Sequence, residues 1–247
     1  MRNRILLFLP AVAIFFSGCD ITDEVFNAER IRGSGKVVQQ TRDVSGFTEV
    51  RLAATGEMEI RFGSSESLTI EGEDNLLPRL QAEVENGKLT IRAERGVSLS
   101  PTVPIHYTLV VEELTALELS GSGKIHAAPV RSRDFSVSVP GSGDIRLDEL
   151  LADTLTAQIS GSGSIEVPGK VVSQRVRISG SGDYDGSNLQ SNSADVSISG
   201  SGDMQVWVRD DLRASISGSG RVDYYGNPKI SRHISGSGKV RNIGERP

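Results

Sequence analysis

Between Leu117 and Val240 the tripeptide Gly-Ser-Gly returns seven times, with first glycines at Gly121, Gly141, Gly161, Gly180, Gly200, Gly218 and Gly236. The third positions are Gly123, Gly143, Gly163, Gly182, Gly202, Gly220 and Gly238, and the steps are 20, 20, 19, 20, 18 and 18 residues. A unit this short cannot bury an apolar face by itself. A fixed period of about 20 residues therefore specifies a solenoid in which each coil's core is completed by its neighbours.

Alignment on the first glycine shows which way the side chains point. Two residues before it stand Leu119, Val139, Ile159, Ile178, Ile198, Ile216 and Ile234. Four before it stand Leu117, Val137, Ala157, Val176, Val196, Ala214 and Arg232; four after it stand Ile125, Ile145, Ile165, Tyr184, Met204, Val222 and Val240. Within each strand the apolar columns share one parity, that of a pleat's single face, so they point inward. Three before the glycine the column is polar (Glu118, Ser138, Gln158, Arg177, Ser197, Ser215, His233) and faces solvent. Like over like at about 4.8 Å gives aliphatic ladders inside and serine-rich ladders outside. The expectation is an all-β fold, a right-handed parallel β-helix, since parallel crossovers are right-handed. The glycines stand where one strand bends into the next and backbones approach closely. Pro140, in place of the serine before the second repeat, removes a backbone donor there.

The section 33–116 alternates less regularly, with Val50 and Leu52, Met58, Ile60 and Phe62, Leu68 and Ile70, Leu89 and Ile91, and Leu109 and Val111. These runs predict short half-buried strands. Thr55-Gly56-Glu57-Met58-Glu59-Ile60 has the outline of a degenerate repeat phrase. Asn86-Gly87 predicts a tight primed hairpin turn, because both residues accept positive φ. Asp74 to Leu80 predicts one helical turn stopped by Pro78, and Arg95 to Pro104 a surface loop. The section reads as an irregular start to the regular repeats at 117–247, with 33–247 forming one continuous domain.

At the N-terminus, Arg2 and Arg4 precede an apolar run from Ile5 to Phe16 and then Ser17-Gly18-Cys19. That order is an export signal over residues 1–18. Phe-Ser-Gly-Cys resembles the lipobox of bacterial lipoproteins, which implies cleavage before Cys19, acylation of Cys19 and a membrane as partner. Cys19 is the only cysteine, so no intramolecular disulfide forms. Residues 19–32 read as the acylated cysteine and a polar tether. The localisation implied is the cell envelope, with the periplasmic face and the cell surface both open, and inner and outer membrane both open.

The export signal, the run Phe47-Thr48-Glu49-Val50-Arg51, the phrase Asn86-Gly87-Lys88-Leu89-Thr90-Ile91 and the repeated Ser-Gly-Ser-Gly together resemble the auto-transporter adhesin family known as the head GIN domain. The resemblance covers residues 32–243. It implies an exported, β-helical protein; the reading of the whole sequence is a lipid-anchored binding or structural module and not an enzyme.

With 27 Lys and Arg against 32 Asp and Glu the chain is mildly acidic, which argues against nucleic acid as a partner. No nucleophile elbow, phosphate loop or His-Glu-x-x-His occurs, and His106, His126 and His233 are dispersed. Carboxylates such as Asp148, Asp153 and Asp185 select no catalytic pair, although a carbohydrate-active enzyme on this scaffold is the alternative reading. Gly-Ser-Gly-Asp at Asp144, Asp183 and Asp203 invites comparison with calcium-binding repeats, a second alternative. The same column holds Lys124, Ser164, Arg221 and Lys239, so no repeated calcium loop is written. The plainer reading pairs Asp144 with Lys124 and Asp203 with Arg221. No metal, cofactor or catalytic residue is expected.

Seven after the glycine stand Ala128, Asp148, Pro168, Ser187, Trp207, Tyr225 and Ile243, a column of outward parity. Trp207 and Tyr225 are then adjacent on the outer wall and make a candidate binding surface for a polysaccharide or an envelope or surface protein. The plainer reading, and the one preferred on the sequence alone, is that Trp207, Tyr224 and Tyr225 pack under the C-terminal segment as a cap, because an open β-helix end needs covering.

Overall fold

The computed structural model describes residues 28–246. The export signal, Cys19 and the tether up to Asn27 lie outside the described residues.

The strands stack in two columns. One runs Leu80–Glu85, Lys88–Ala93, Glu49–Ala53, Ala116–Leu119, Val130–Val139, Leu150–Ile159 and Gly169–Gly180, then the later parts of Asp183–Gly200 and Asp203–Gly218, then Lys229–Gly236. The other runs Val37–Arg42, Ser67–Glu73, His106–Val111, Glu57–Phe62, Lys124–Ala127, Asp144–Leu147 and Ser164–Glu166, then the earlier parts of Asp183–Gly200 and Asp203–Gly218, then Arg221–Tyr225 and Lys239–Asn242. From Lys88–Ala93 and His106–Val111 onward every pairing along both columns is parallel. The molecule is a β-solenoid, and each Gly-Ser-Gly joins a strand of the first column to one of the second.

Inward parity holds. In the six coils with first glycines from Gly121 to Gly218, the three apolar columns are at most 2% exposed. Burial of each such Leu or Ile contributes about 1.5–3 kcal/mol. Val130 and Phe135 are both buried although their odd spacing puts them on opposite faces of an unbroken pleat. The chain therefore turns a corner between them, and the ladder skips Arg133 and Asp153 there. Further along the same corner it skips Val172 and Asn192.

The glycine columns are set by backbone approach. A Cβ on Gly200 would run into the Gly180 carbonyl, and its φ of +140° suits glycine alone. A Cβ on Gly202 would meet the Gly182 carbonyl and lie 2.8 Å from the Ile178 Cγ2. Gly56 takes the same place one coil earlier, against Gly123, so the degenerate phrase is a true coil. Opposite Pro140 the Leu119 carbonyl lacks the donor that the amides of Ser120 and Ser160 supply to Leu52 and Val139.

One polar network interrupts the interior. The Tyr184 hydroxyl donates to Gln174 Oε1 at 3.0 Å, Gln174 Nε2 donates to Ser191 Oγ at 2.9 Å, and Ser191 Oγ donates to the Trp207 carbonyl at 3.0 Å. Gln174 stands in the inward column of Phe135 and Leu155, so its partners must come from inside the coil. Burial pushes the Tyr184 phenol far above its ordinary range.

The first end of the stack is closed by antiparallel strands. Asn86 and Gly87, at φ 52° and 78°, turn Leu80–Glu85 back onto Lys88–Ala93, and Pro78 sits in the 3-10 turn Leu77–Arg79. Two expectations are corrected here. The stretch read as a loop from Arg95 to Pro104 contains the strand Val97–Ser100, and the tether's last residues form Glu29–Arg32, paired parallel with it. Glu29–Arg32 is largely exposed, whereas Val97–Ser100 is mostly half-buried and Leu99 packs against the core. The strands before Leu117 all stack on one side of the first repeat, but out of chain order: Glu49–Ala53 lies between Lys88–Ala93 and Ala116–Leu119.

Glu73 ties this end together. Its buried carboxylate accepts from the Gly35 amide at 2.7 Å and from the amide and hydroxyl of Thr102. The Thr102 hydroxyl chiefly, with the amides, holds its pKa below the ordinary 4.5. A depressed carboxylate pKa contributes stability that is fully present above the unfolded value and is lost as pH falls through the folded one. Melting followed from pH 7 downward is expected to fall more steeply below about pH 4.5 in the native protein than in Glu73→Gln. Parallel curves for the two proteins would contradict this.

Candidate binding surface

Two outward columns flank the inward ladder of the second sheet. Three after each first glycine come Lys124, Asp144, Ser164, Asp183, Asp203 and Arg221; five after come His126, Arg146, Glu166, Asp185, Gln205 and Asp223. Between them runs a trough, one part of about 560 Å³ reaching from Glu57 and His106 to Glu166, the other of about 380 Å³ from Ser164 to Gln205. Some of its polar and charged groups meet one another or the strands beside it. Arg146 meets Glu166 at 2.7 Å, His126 meets Asp148 at 2.7 Å, and Arg221 meets Asp203 at 3.5 Å. Exposed pairs of this kind contribute about 0–1 kcal/mol each.

The expected Arg221–Asp203 pair is thus present, whereas the expected Lys124–Asp144 pair does not form. The two residues face each other in register, but Asp144 Oδ1 accepts from the Ser164 hydroxyl at 2.7 Å in the next coil. A short serine on the adjacent strand reaches the carboxylate at less entropic cost than a lysine. Asp183 and Asp203 are neighbours, yet among the described residues no three His, Cys, Asp or Glu converge to hold a metal ion. His106 lies 3.6 Å from Glu57, and His233 is exposed on the last coil. Asp185 accepts from the Ser187 amide, and Asp153 stands at the corner.

Trp207 and Tyr225 are brought together. They occupy one register step on the parallel strands Asp203–Gly218 and Arg221–Tyr225, both partly exposed, with Val206 and Val208 buried on either side of Trp207. The outward column does not extend back to Ser187, which is buried; a register shift after Gly186 sets Gln190 beside Trp207 instead. Arg246 lies over the Tyr225 ring, its guanidinium carbon 4.4 Å from the centroid, and Arg246 Nη1 donates to Asn188 Oδ1 at 2.9 Å. That geometry is a cation–π contact. The C-terminal segment thus packs on Tyr225 as the cap reading expects, but these aromatics do not cover the end: Trp207 and Tyr225 stand on the side wall, and the coil beyond them, Lys229–Gly236 and Lys239–Asn242, is exposed at the tip. Tyr224 alone packs inward against the core. Arg246 follows the last repeat, so no column could have announced it.

A single stack of coils with charged and aromatic side walls defines a surface-presenting repeat protein. The family described as "Putative auto-transporter adhesin, head GIN domain" matches residues 46–228, and the chain belongs to that family. Solved structures share the fold. A protein from Bacteroides fragilis, described as a putative adhesin, has a TM-score of 0.82 at 22% identity over 86% of this chain. One from Parabacteroides distasonis, described as a putative lipid binding protein, has 0.74 at 26% over 87%. Another described as a putative adhesin, from Parabacteroides merdae, has 0.69 at 21% over 87%. In each case 100% of the solved chain is covered, so in these relatives the solenoid folds as a unit by itself. Comparison with curated proteins gives no match. Among the described residues no helix is long and apolar enough to cross a membrane.

Proposed function

We propose that this protein is a non-catalytic binding module of the cell envelope, held to a membrane by acylated Cys19, with the wall around Trp207 and Tyr225 as its recognition surface. The observation that carries this reading is the pair itself, two partly exposed rings on neighbouring coils with a guanidinium stacked on one of them. Aromatic faces and arginine anchor sugars and protein partners at low entropic cost because few torsions are frozen. The family's adhesin description supports a partner outside the cell body, a polysaccharide or an envelope or surface protein. Several acyl chains would add about 0.8 kcal/mol per buried methylene, enough for a stable anchor.

Residues 28–247 presented to polysaccharides, matrix proteins and phospholipid vesicles are expected to bind a member of the first two classes. Loss of both rings in Trp207→Ala/Tyr225→Ala should weaken that binding roughly 30-fold or more, as for hot-spot pairs. Equal binding by the variant would place recognition elsewhere, the trough being the next surface to test. For the anchor, labelled fatty acid fed to producing cells should enter the native protein and not Cys19→Ala. A native protein without label would remove the anchor from the account.

A further inference from the structure

The two ends of the solenoid are finished differently. At the first end the columns stop in strands that run across the pattern, Leu80–Glu85 against its neighbour and Val37–Arg42 against Ser67–Glu73. At the last end they stop in Lys229–Gly236 and Lys239–Asn242, ordinary parallel coil strands with no partner beyond them among the described residues. Such an edge is a row of unpaired amides and carbonyls, a template for another strand.

Exposed apolar side chains gather at the same places. Of the six large apolar side chains most open to solvent among the described residues, Val37 lies on the first end, at 43%, and Ile230, Ile234 and Ile243 on the last, at 41%, 37% and 37%, while Phe62 and Val172 lie on strands within the stack. Ile234 occupies a column that is buried in the six preceding coils, so it is an interior position lacking its next layer. The ends also differ in charge. Lys229, Arg232 and Lys239 have no ion pair among the described residues, while Leu80–Glu85 carries no cation of its own and two carboxylates, Glu83, which meets Arg92 at 3.1 Å, and Glu85.

From these ends we infer that the protein associates head to tail, the open last coil of one copy seating on the closed first end of the next. Coaxial stacking sets Leu80–Glu85 antiparallel to Lys229–Gly236 and Val37–Arg42 parallel to Lys239–Asn242, because the former strand runs against its column and the latter with it. Glu83 and Glu85 then face the cationic tip, and Ile234 gains the layer it lacks. Two last coils facing each other would oppose Arg232 and Lys239 with their own copies, and like charge disfavours that contact. The contact is heterologous and builds a filament, not a closed dimer.

Sedimentation velocity on residues 28–247 tests this independently of any ligand at the aromatic wall. The native protein should gain mass with concentration as elongated multimers. Ile234→Lys, at an exposed site of the open end, should be monomeric, and so should Glu83→Lys/Glu85→Lys at the closed end. Mixed together, these two variants should form a one-to-one dimer and stop, since each blocks only one end. A native protein that stays monomeric at millimolar concentration would overturn the inference. So would Glu83→Lys/Glu85→Lys multimers equal to the native ones, since they would place the contact between like ends or with another surface.

Discussion

Gly200→Ala is expected to lower the unfolding free energy by roughly 2–6 kcal/mol, combining about 1–3 for a side chain at a φ it does not adopt with about 1–3 for overpacking. The position has φ +140° and its Cβ would strike the Gly180 carbonyl, a backbone atom that cannot swing aside. Gly46→Ala is the matched control, since Gly46 has φ +77° but nothing within 4 Å of a Cβ. There only the strain remains, about 1–2 kcal/mol. Denaturant unfolding of both variants measures the difference. Equal losses would mean that glycine is there for its backbone angles alone, and that coil-to-coil approach does not select it.

The second large effect concerns the buried network. Tyr184→Phe strips Gln174 Oε1 of its donor, and Gln174→Leu leaves the Tyr184 hydroxyl without an acceptor. Each is expected to cost about 1–3 kcal/mol, the desolvation penalty of an orphaned buried group. The double variant should cost less than the sum, and close to nothing beyond either single change, because both orphans vanish together and Leu155 beside position 174 shows that leucine suits this column. Ser191 keeps its donation to the Trp207 carbonyl in all three. Strictly additive losses would show that the tyrosine and glutamine are placed by shape and not by their hydrogen bond.

The coils were legible in the sequence because three conditions coincide in them. The period is nearly constant, the pleat fixes which columns face inward, and a glycine marks each bend. Asn86-Gly87 was legible for a similar reason, since a primed turn has few residue solutions. The stacking order was not. Nothing in Glu49–Ala53 or Lys88–Ala93 states which of them lies next to Ala116–Leu119, because each strand is compatible with either neighbour and the choice is made by long-range packing. Glu29–Arg32 was missed because a strand this exposed carries little alternation, and Val97–Ser100 because two apolar residues, Val97 and Leu99, between Gly96 and Pro101 make too short a run to stand out from a loop.

At the candidate site the adjacency of Trp207 and Tyr225 followed from the 18-residue step between Gly200 and Gly218. The displacement of Ser187 from that wall did not, because the register shift after Gly186 is hidden in a coil whose total length is ordinary. Gln174 gave a signal that could have been used. A polar residue in an otherwise apolar column asks for an internal partner, and Tyr184 was the one polar side chain in the neighbouring inward column.

Thermal melting of Trp207→Ala/Tyr225→Ala beside the native protein is the measurement that bears most directly on the central claim, that these rings face outward to meet a partner. Rings on the side wall lose only partial burial and one cation–π contact on truncation. The account therefore predicts a change of roughly 1–2 kcal/mol, with the cooperative transition intact. A collapse of stability by about 4 kcal/mol or more, the range reserved for breaking a core, would contradict it and make the aromatics part of the scaffold.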